Sequence, residues 1–181
     1  MKKIYLIIGL IIMICATGCT LGMGNTPTAK VEELLNRYNT NNDIVKGELG
    51  DYLNSLTIDE ANIEGYHEIY LRQYTDLTYE IKDERIDGDK ATVTVQIKVY
   101  DYYSAENTIS NHISTNQRDF YSEDDVYDPI KAMTYRIEEL GKVKDKIEYS
   151  IYFTLTKVDN EWMVDNLTNE QLEKIHGMYA H

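Results

Sequence analysis

Cysteine is almost missing from these 181 residues: the two present are Cys15 and Cys19. Beyond them the chain can hold no disulfide framework, no thiolate zinc site and no nucleophilic thiol, so packing alone must stabilise it. Positive charge is scarce too, with 18 Lys and Arg against 31 Asp and Glu and a net charge of −13. That balance excludes nucleic acid as a partner, because nothing offsets phosphate charge, and it offers no Lys/Arg cluster to anionic lipid headgroups. Phenylalanine occurs twice and tryptophan once, whereas tyrosine occurs 16 times, so much of the aromatic surface carries a polar tip. No hydrophobic run is long. The most apolar stretch, Ile4 to Ile14, falls short of the roughly 20 residues that a transmembrane helix needs. A P-loop, a dinucleotide fingerprint and a Ser/His/Asp arrangement are all lacking, and no cofactor is implied.

What is present begins at the N-terminus. Lys2 and Lys3 precede the apolar run, which then gives way to Ala16-Thr17-Gly18-Cys19, the layout of a secretory signal. These last four residues resemble the lipobox of bacterial lipoproteins, roughly Leu-(Ala/Ser)-(Gly/Ala)-Cys, with Ala16 in the usual Leu position. The resemblance implies that residues 1–18 are a signal peptide and that Cys19 becomes a diacylglyceryl-modified N-terminus. The membrane would then be a partner through the lipidated end, with the protein on the outer face of the cell membrane. Two or more acyl chains hold stably where one does not. Without the signal, 16 basic side chains face 31 acidic ones, a net charge of −15. Residues 19–26 form a short tether, and 27–180 are expected to make one α+β domain.

Within that domain, Thr26 before Pro27 reads as an N-cap with proline at the first helical position. Val31, Leu34, Leu35 and Tyr38 follow at helical spacing. A second helix is expected from Asp43 to Ser55, with Ile44, Val45, Leu49, Tyr52, Leu53 and Leu56 on one side. A third starts at the capping box Thr57/Glu60 and runs to about Gln73, its inward stripe carrying Ile63, Tyr66, His67, Tyr70, Leu71 and Tyr74. The period then changes from 3.6 to 2. Leu77, Tyr79 and Ile81 lead to an Asp87-Gly88 hairpin turn, and Ala91, Val93, Val95, Ile97 and Val99 alternate on the return strand. Residues 104–128 read as a polar excursion, with a hint of helix at Ile109, His112 and Ile113. Asp128-Pro129 opens a helix through Ile130, Met133, Ile137 and Leu140 that Gly141 should stop. Ile147, Tyr149, Ile151, Phe153 and Leu155 alternate on a further strand, Asp159-Asn160 turns, and Trp162 and Val164 lie in its return. Thr168 and Gln171 form a last capping box before a C-terminal helix with Leu172 and Ile175.

These elements imply an α+β fold: N-terminal helices on one face of a curved four-stranded antiparallel sheet of two hairpins, closed by a C-terminal helix. Helices followed by long antiparallel strands, with the late hairpin Val158-Asp159-Asn160-Glu161-Trp162-Met163-Val164, resemble the nuclear transport factor 2-like or cystatin-like superfamily. They also resemble Gram-positive lipoproteins that carry such domains. Superfamily enzymes place an Asp base and a Tyr donor in the cone between sheet and helices, and here Asp101, Tyr103, Tyr149 and His67 are the residues that strand parity and helical phase direct inward.

The other candidates have structural explanations. Asp87-Gly88-Asp89 lacks the spacing of a calcium loop, and Glu123, Asp124, Asp125 and Asp128 precede a helix whose dipole they complement. His112, His176 and His181 show no ligand spacing, so no metal site is expected. The outward strand face, Thr92, Thr94, Tyr100, Tyr152, Thr154 and Thr156, is a candidate surface for an envelope partner or a homodimer through Tyr100 and Tyr152. The sequence therefore supports a lipid-anchored binding or interaction module, with a small-molecule enzyme or carrier using the cone as the alternative.

Overall fold

The computed structural model describes residues 24–55 and 60–181. Among them six α-helices and four strands form an α+β fold, the strands pairing antiparallel in the order β1-β2-β3-β4. The strands are β1 (Thr78–Asp87), β2 (Lys90–Tyr100), β3 (Lys146–Val158) and β4 (Glu161–Val164). Both hairpin turns follow from local chemistry. Gly88 takes φ +60° in the first, and Asp159 and Asn160 take φ +50° and +67° in the second, the left-handed pair that suits the twist of adjoining strands.

Register puts the apolar residues of β2 and β3 on one face: Val93 lies opposite Phe153, Val95 opposite Ile151 and Ile97 opposite Tyr149. Val93, Val95, Ile97, Val99, Phe153 and Leu155 are all fully buried there, each contributing about 1.5–3 kcal/mol through the water it sheds. The opposite face stays open, with Tyr152 61% exposed.

Helix α1 (Pro27–Asn39), capped by Thr26 Oγ1 on the Ala29 N–H, lies across the buried face with Val31, Leu35 and Tyr38 inward. The carboxylate of Glu84 on β1 accepts from the N–H and hydroxyl of Thr28 at 2.9 and 2.7 Å, which places negative charge at the positive end of α1. Helix α6 (Asn169–His176) also lies on the sheet, starting from the Thr168/Gln171 capping box and burying Ile175.

Helix α3 (Glu60–Thr75) is different, because it is packed from two sides. Tyr70 and Tyr74 belong to the core against the sheet, while Ile69 belongs to a second core built with α4 (Tyr102–Thr115) and α5 (Pro129–Lys142). Between the two cores sits Gln73, 0% exposed. Its amide answers both backbone groups at the end of β2: Oε1 accepts the Tyr100 N–H at 2.8 Å and Nε2 donates to the Tyr100 carbonyl at 3.4 Å. A side chain here does what a further strand would do. Against the same carbonyl lies Gly177, at φ +72°, where an added Cβ would fall 2.0 Å from the Tyr100 oxygen. Gly177 closes α6 by accepting left-handed geometry, with its N–H bonded to Lys174 and that of Met178 to Glu173. The Gly177 carbonyl then accepts the Tyr103 N–H at 2.8 Å, in the first turn of α4. One polar knot thus joins α3, β2, α4 and α6.

Several expectations need correction. Residues 104–128 are not mainly a polar excursion: α4 occupies Tyr102–Thr115 and a 3₁₀ turn follows at Gln117–Phe120, burying Tyr102, Ile109, Ile113 and Phe120. Gly141 does not stop α5, which continues to Lys142 and ends at Val143. Tyr100 is not on the open sheet face. At the strand end it is drawn under α3, its hydroxyl donating to Asp76 Oδ2 at 2.5 Å and its ring lying 4.1 Å from the Arg72 guanidinium. In α2 (Asp43–Ser55) the buried line is Val45, Leu49 and Leu53, leaving Ile44 and Tyr52 exposed. Leu56, the Thr57/Glu60 capping box, Cys19 and the signal segment lie outside the described residues or side chains.

The knot sets a stability prediction. Gln73→Leu, which leaves the buried Tyr100 N–H and carbonyl unpaired, should cost about 1–3 kcal/mol per orphaned group. Gly177→Ala, strained by φ and by contact with a backbone atom, should cost at least as much. Urea unfolding with an unchanged slope measures both.

Candidate binding cleft

The cleft is built by four helices. Asn42 Oδ1 accepts the Val45 N–H at 3.0 Å and starts α2, so Val45 and Leu49 turn inward and Tyr52 stands at the edge. On α6, Leu172 and His176 are one turn apart and face the same way. Helix α3 supplies Tyr74, and α1 supplies Tyr38 near its end. The result is a cleft of about 490 Å³ lined by Tyr38, Leu49, Tyr52, Tyr74, Leu172 and His176. Glu48 and Glu173 stand at its exposed rim.

Aromatic contacts order its wall. Tyr38 and Tyr74 meet edge to face with centroids 5.0 Å apart. The His176 ring lies 5.1 Å from Tyr70, 5.8 Å from Tyr52 and 5.8 Å from Tyr74. Its Nε2 is 2.9 Å from the Tyr74 hydroxyl, a contact in which the phenol donates when Nε2 is unprotonated. Burial lowers His176 from 6.5 to about 4, since the charged imidazolium would lose its water. The imidazole is therefore neutral at physiological pH. Burial also raises the hydroxyl of Tyr38 to about 12, with Glu48 adding to the effect. The cleft thus presents neutral aromatic rings below an acidic rim, and among its described lining residues there is no Lys or Arg.

A smaller hollow of about 250 Å³ lies beyond Tyr52 and Tyr70, toward Tyr102 and Glu106. Glu106 and Arg136 pair there at 2.5 Å; burial raises the acid while Arg136 pulls it back. That pair links α4 to α5 rather than facing a ligand alone.

Of the residues singled out from sequence, the structure gathers Asp101, Tyr103 and Tyr149, but around His181 and not His67. His181 Nε2 lies 3.7 Å from Asp101 Oδ2, and its ring is 5.7 Å from Tyr103 and 6.3 Å from Tyr149. Asp101 caps α4, Oδ1 accepting the Ser104 N–H at 3.0 Å. Tyr149 donates to the Tyr179 carbonyl at 2.9 Å, and burial, with Asp101 nearby, raises its hydroxyl to about 12. His67 is half-buried on α3. The acidic run also has local partners: Asp128 caps α5 through the Ile130 and Lys131 N–H groups, and Asp125 pairs with Arg118. Among the described residues no three His, Cys, Asp or Glu side chains converge on a metal position. None of their helices is long and apolar enough to cross a membrane.

Comparison with solved structures finds a candidate lipoprotein, ycdA, of Bacillus subtilis subsp. subtilis str. 168. It is 18% identical over 83% of this chain and 47% of its own, with a TM-score of 0.45. The chain spans about half the length of that protein. No protein-family model matches, and no curated protein does. The resemblance to nuclear transport factor 2-like and cystatin-like proteins therefore rests on the element order and the late hairpin alone.

The cleft was missed from sequence because its histidine has no ligand spacing. What marks it is convergence: Tyr52, Tyr74 and His176 come from three helices, and only the fold brings α2 beside α6. One consequence is measurable. Because folded His176 titrates near 4 and the unfolded side chain near 6.5, the unfolded chain binds a proton that the folded chain refuses. The stability from this site is complete above about 6.5 and is lost as pH falls toward about 4. His176→Gln, which keeps a hydrogen-bonding group but does not titrate, should show a smaller loss of melting temperature between about pH 7 and pH 5 than the parent. Equal losses would show that His176 is not buried neutral.

Proposed function

We propose that this chain is a lipid-anchored protein of the outer face of the cell membrane, acting there as a non-catalytic binding module. The observation that carries the reading is the separation of the tethered end from the cleft by α1. Asn25, six positions after Cys19, is clasped to the β3–β4 hairpin: its Nδ2 donates to the Asn160 carbonyl at 2.7 Å, and its Oδ1 accepts the Trp162 N–H at 2.9 Å. Six residues reach at most about 21 Å, so an acylated Cys19 keeps that corner near the bilayer. From Pro27 to Tyr38, α1 then advances about 16 Å along its axis, which carries the cleft to the other end of the helix. A net charge of −15 after signal removal gives headgroups no reason to cover it.

The non-catalytic part is supported by how the acid and base groups are used. Asp101 is occupied as a helix cap and Tyr149 as a donor to a backbone carbonyl. His176 is a neutral imidazole bonded to a phenol. Between the sheet and the helices, Val93, Val95, Ile97, Val99, Phe153 and Leu155 are fully covered, which favours the helix-lined cleft as the place for a ligand. Fractionation tests the anchor: Cys19→Ser should leave the protein unprocessed or release it to the medium, and mature protein still bound to membranes would contradict lipidation at Cys19.

A further inference from the structure

We infer that the cleft between α2, α3 and α6 binds an organic cation, specifically a quaternary ammonium group seated against Tyr38, Tyr52, Tyr74 and His176 beneath Glu48 and Glu173. The inference rests on the binding-module reading and adds the chemical class of the ligand.

Three features of the cleft point to this class. Four of its lining residues, Tyr38, Tyr52, Tyr74 and His176, carry aromatic rings and come from four helices, with Tyr52 the most exposed of these tyrosines; a ring face carries the negative part of its quadrupole, which attracts a cation within about 6 Å of the centroid. Tyr52, on the outer side, is 41% exposed, so the ring wall reaches solvent and a ligand has a way in. The second feature is the rim. Glu48 and Glu173 are exposed carboxylates from two different helices, and no described lining residue is cationic; attraction toward the mouth is reinforced by the net negative charge of the whole chain. The third is size: about 490 Å³ falls in the range of small-molecule sites, roughly 300–1,000 Å³.

Other ligand classes fit less well. An anion meets two carboxylates and no donor of positive charge. Calcium or magnesium needs about six hard oxygen ligands, whereas the cleft offers two separated carboxylates, and among the described residues no trio of ligating side chains exists. A compact, strongly hydrated ammonium would forfeit hydrogen bonds against Leu49 and Leu172, while a methylated ammonium presents an apolar surface that these side chains and the rings can cover. The neutral His176 completes the wall without adding a like charge.

The experiment uses the folded acylated protein in detergent and titrates it with choline. Its uncharged isostere, 3,3-dimethyl-1-butanol, has the same shape with carbon in place of nitrogen. Heat of binding and the proton resonances of the tyrosine rings report occupancy. Choline is expected to bind at least about tenfold more tightly than the isostere. Tyr52→Leu, which keeps apolar bulk at an exposed position, should weaken choline about tenfold while leaving the isostere little changed. Glu48→Gln with Glu173→Gln should weaken choline less and remove much of its salt dependence. Equal affinity for both probes would overturn the cationic assignment while leaving a neutral binding cleft, and so the binding-module reading, in place. Binding of neither probe up to about 50 mM, far weaker than any specific site, would overturn the inference and remove this cleft as support for that reading. Choline binding that Tyr52→Leu leaves unaltered would place the cation elsewhere and would also overturn it.

Discussion

A buried amide organises this fold. Gln73, with no exposed surface, bonds to both backbone groups of Tyr100. In doing so it fixes how α3 meets the last residue of the central strand. Leaving either Tyr100 group unpaired in that setting would cost the desolvation of a peptide group, so α3 cannot slide along the sheet or rotate about its axis without penalty. Gly177 adds a second constraint at the same point, because no side chain fits between α6 and the Tyr100 carbonyl. The C-terminus of α6 is therefore locked against α3. His176, the residue before Gly177, is held beside Tyr70 and Tyr74 as a direct result. The geometry of the cleft is inherited from a polar contact outside it.

Tyrosine takes over much of what phenylalanine does in other cores, and the hydroxyls need partners. Here they are arranged in short links: Tyr74 with His176, Tyr100 with Asp76, Tyr149 with the Tyr179 carbonyl. Each link joins segments far apart in the chain and keeps an aromatic ring in a defined pose. The same residue type thus supplies packing, directional bonds and, where the ring remains accessible at Tyr52, a surface suited to a ligand. This economy of type suits a chain without disulfides beyond its first nineteen residues.

Much of the scaffold was legible because its signals are local. The alternation in β2 and β3, the Asp87-Gly88 and Asp159-Asn160 turns, and the Thr168/Gln171 capping box each act over a few residues, and tertiary contacts reinforce them. Helix α4 was largely missed although Tyr102, Ala105, Ile109 and Ile113 form a stripe, because Asn107, Ser110 and Asn111 have weak helix propensity and packing against α5 overrides it. Gly141 reads as a helix stop because a glycine one residue before the end of a helix looks like one just past it. Strand parity puts Tyr100 on the open face, but parity ceases to apply where the chain turns into α4. The knot and the cleft were not legible at all. Both depend on side chains from helices far apart in sequence meeting at one place, and no periodicity encodes that meeting.

The central claim is that the amide of Gln73 closes the end of β2 as firmly as a neighbouring strand would. Native-state hydrogen exchange at the Tyr100 N–H measures this directly. The account predicts that this amide opens only with global unfolding, at the same free energy as the interior amides of β2. Exchange of the Tyr100 amide by local fraying, while Val95 and Ile97 remain protected, would contradict it.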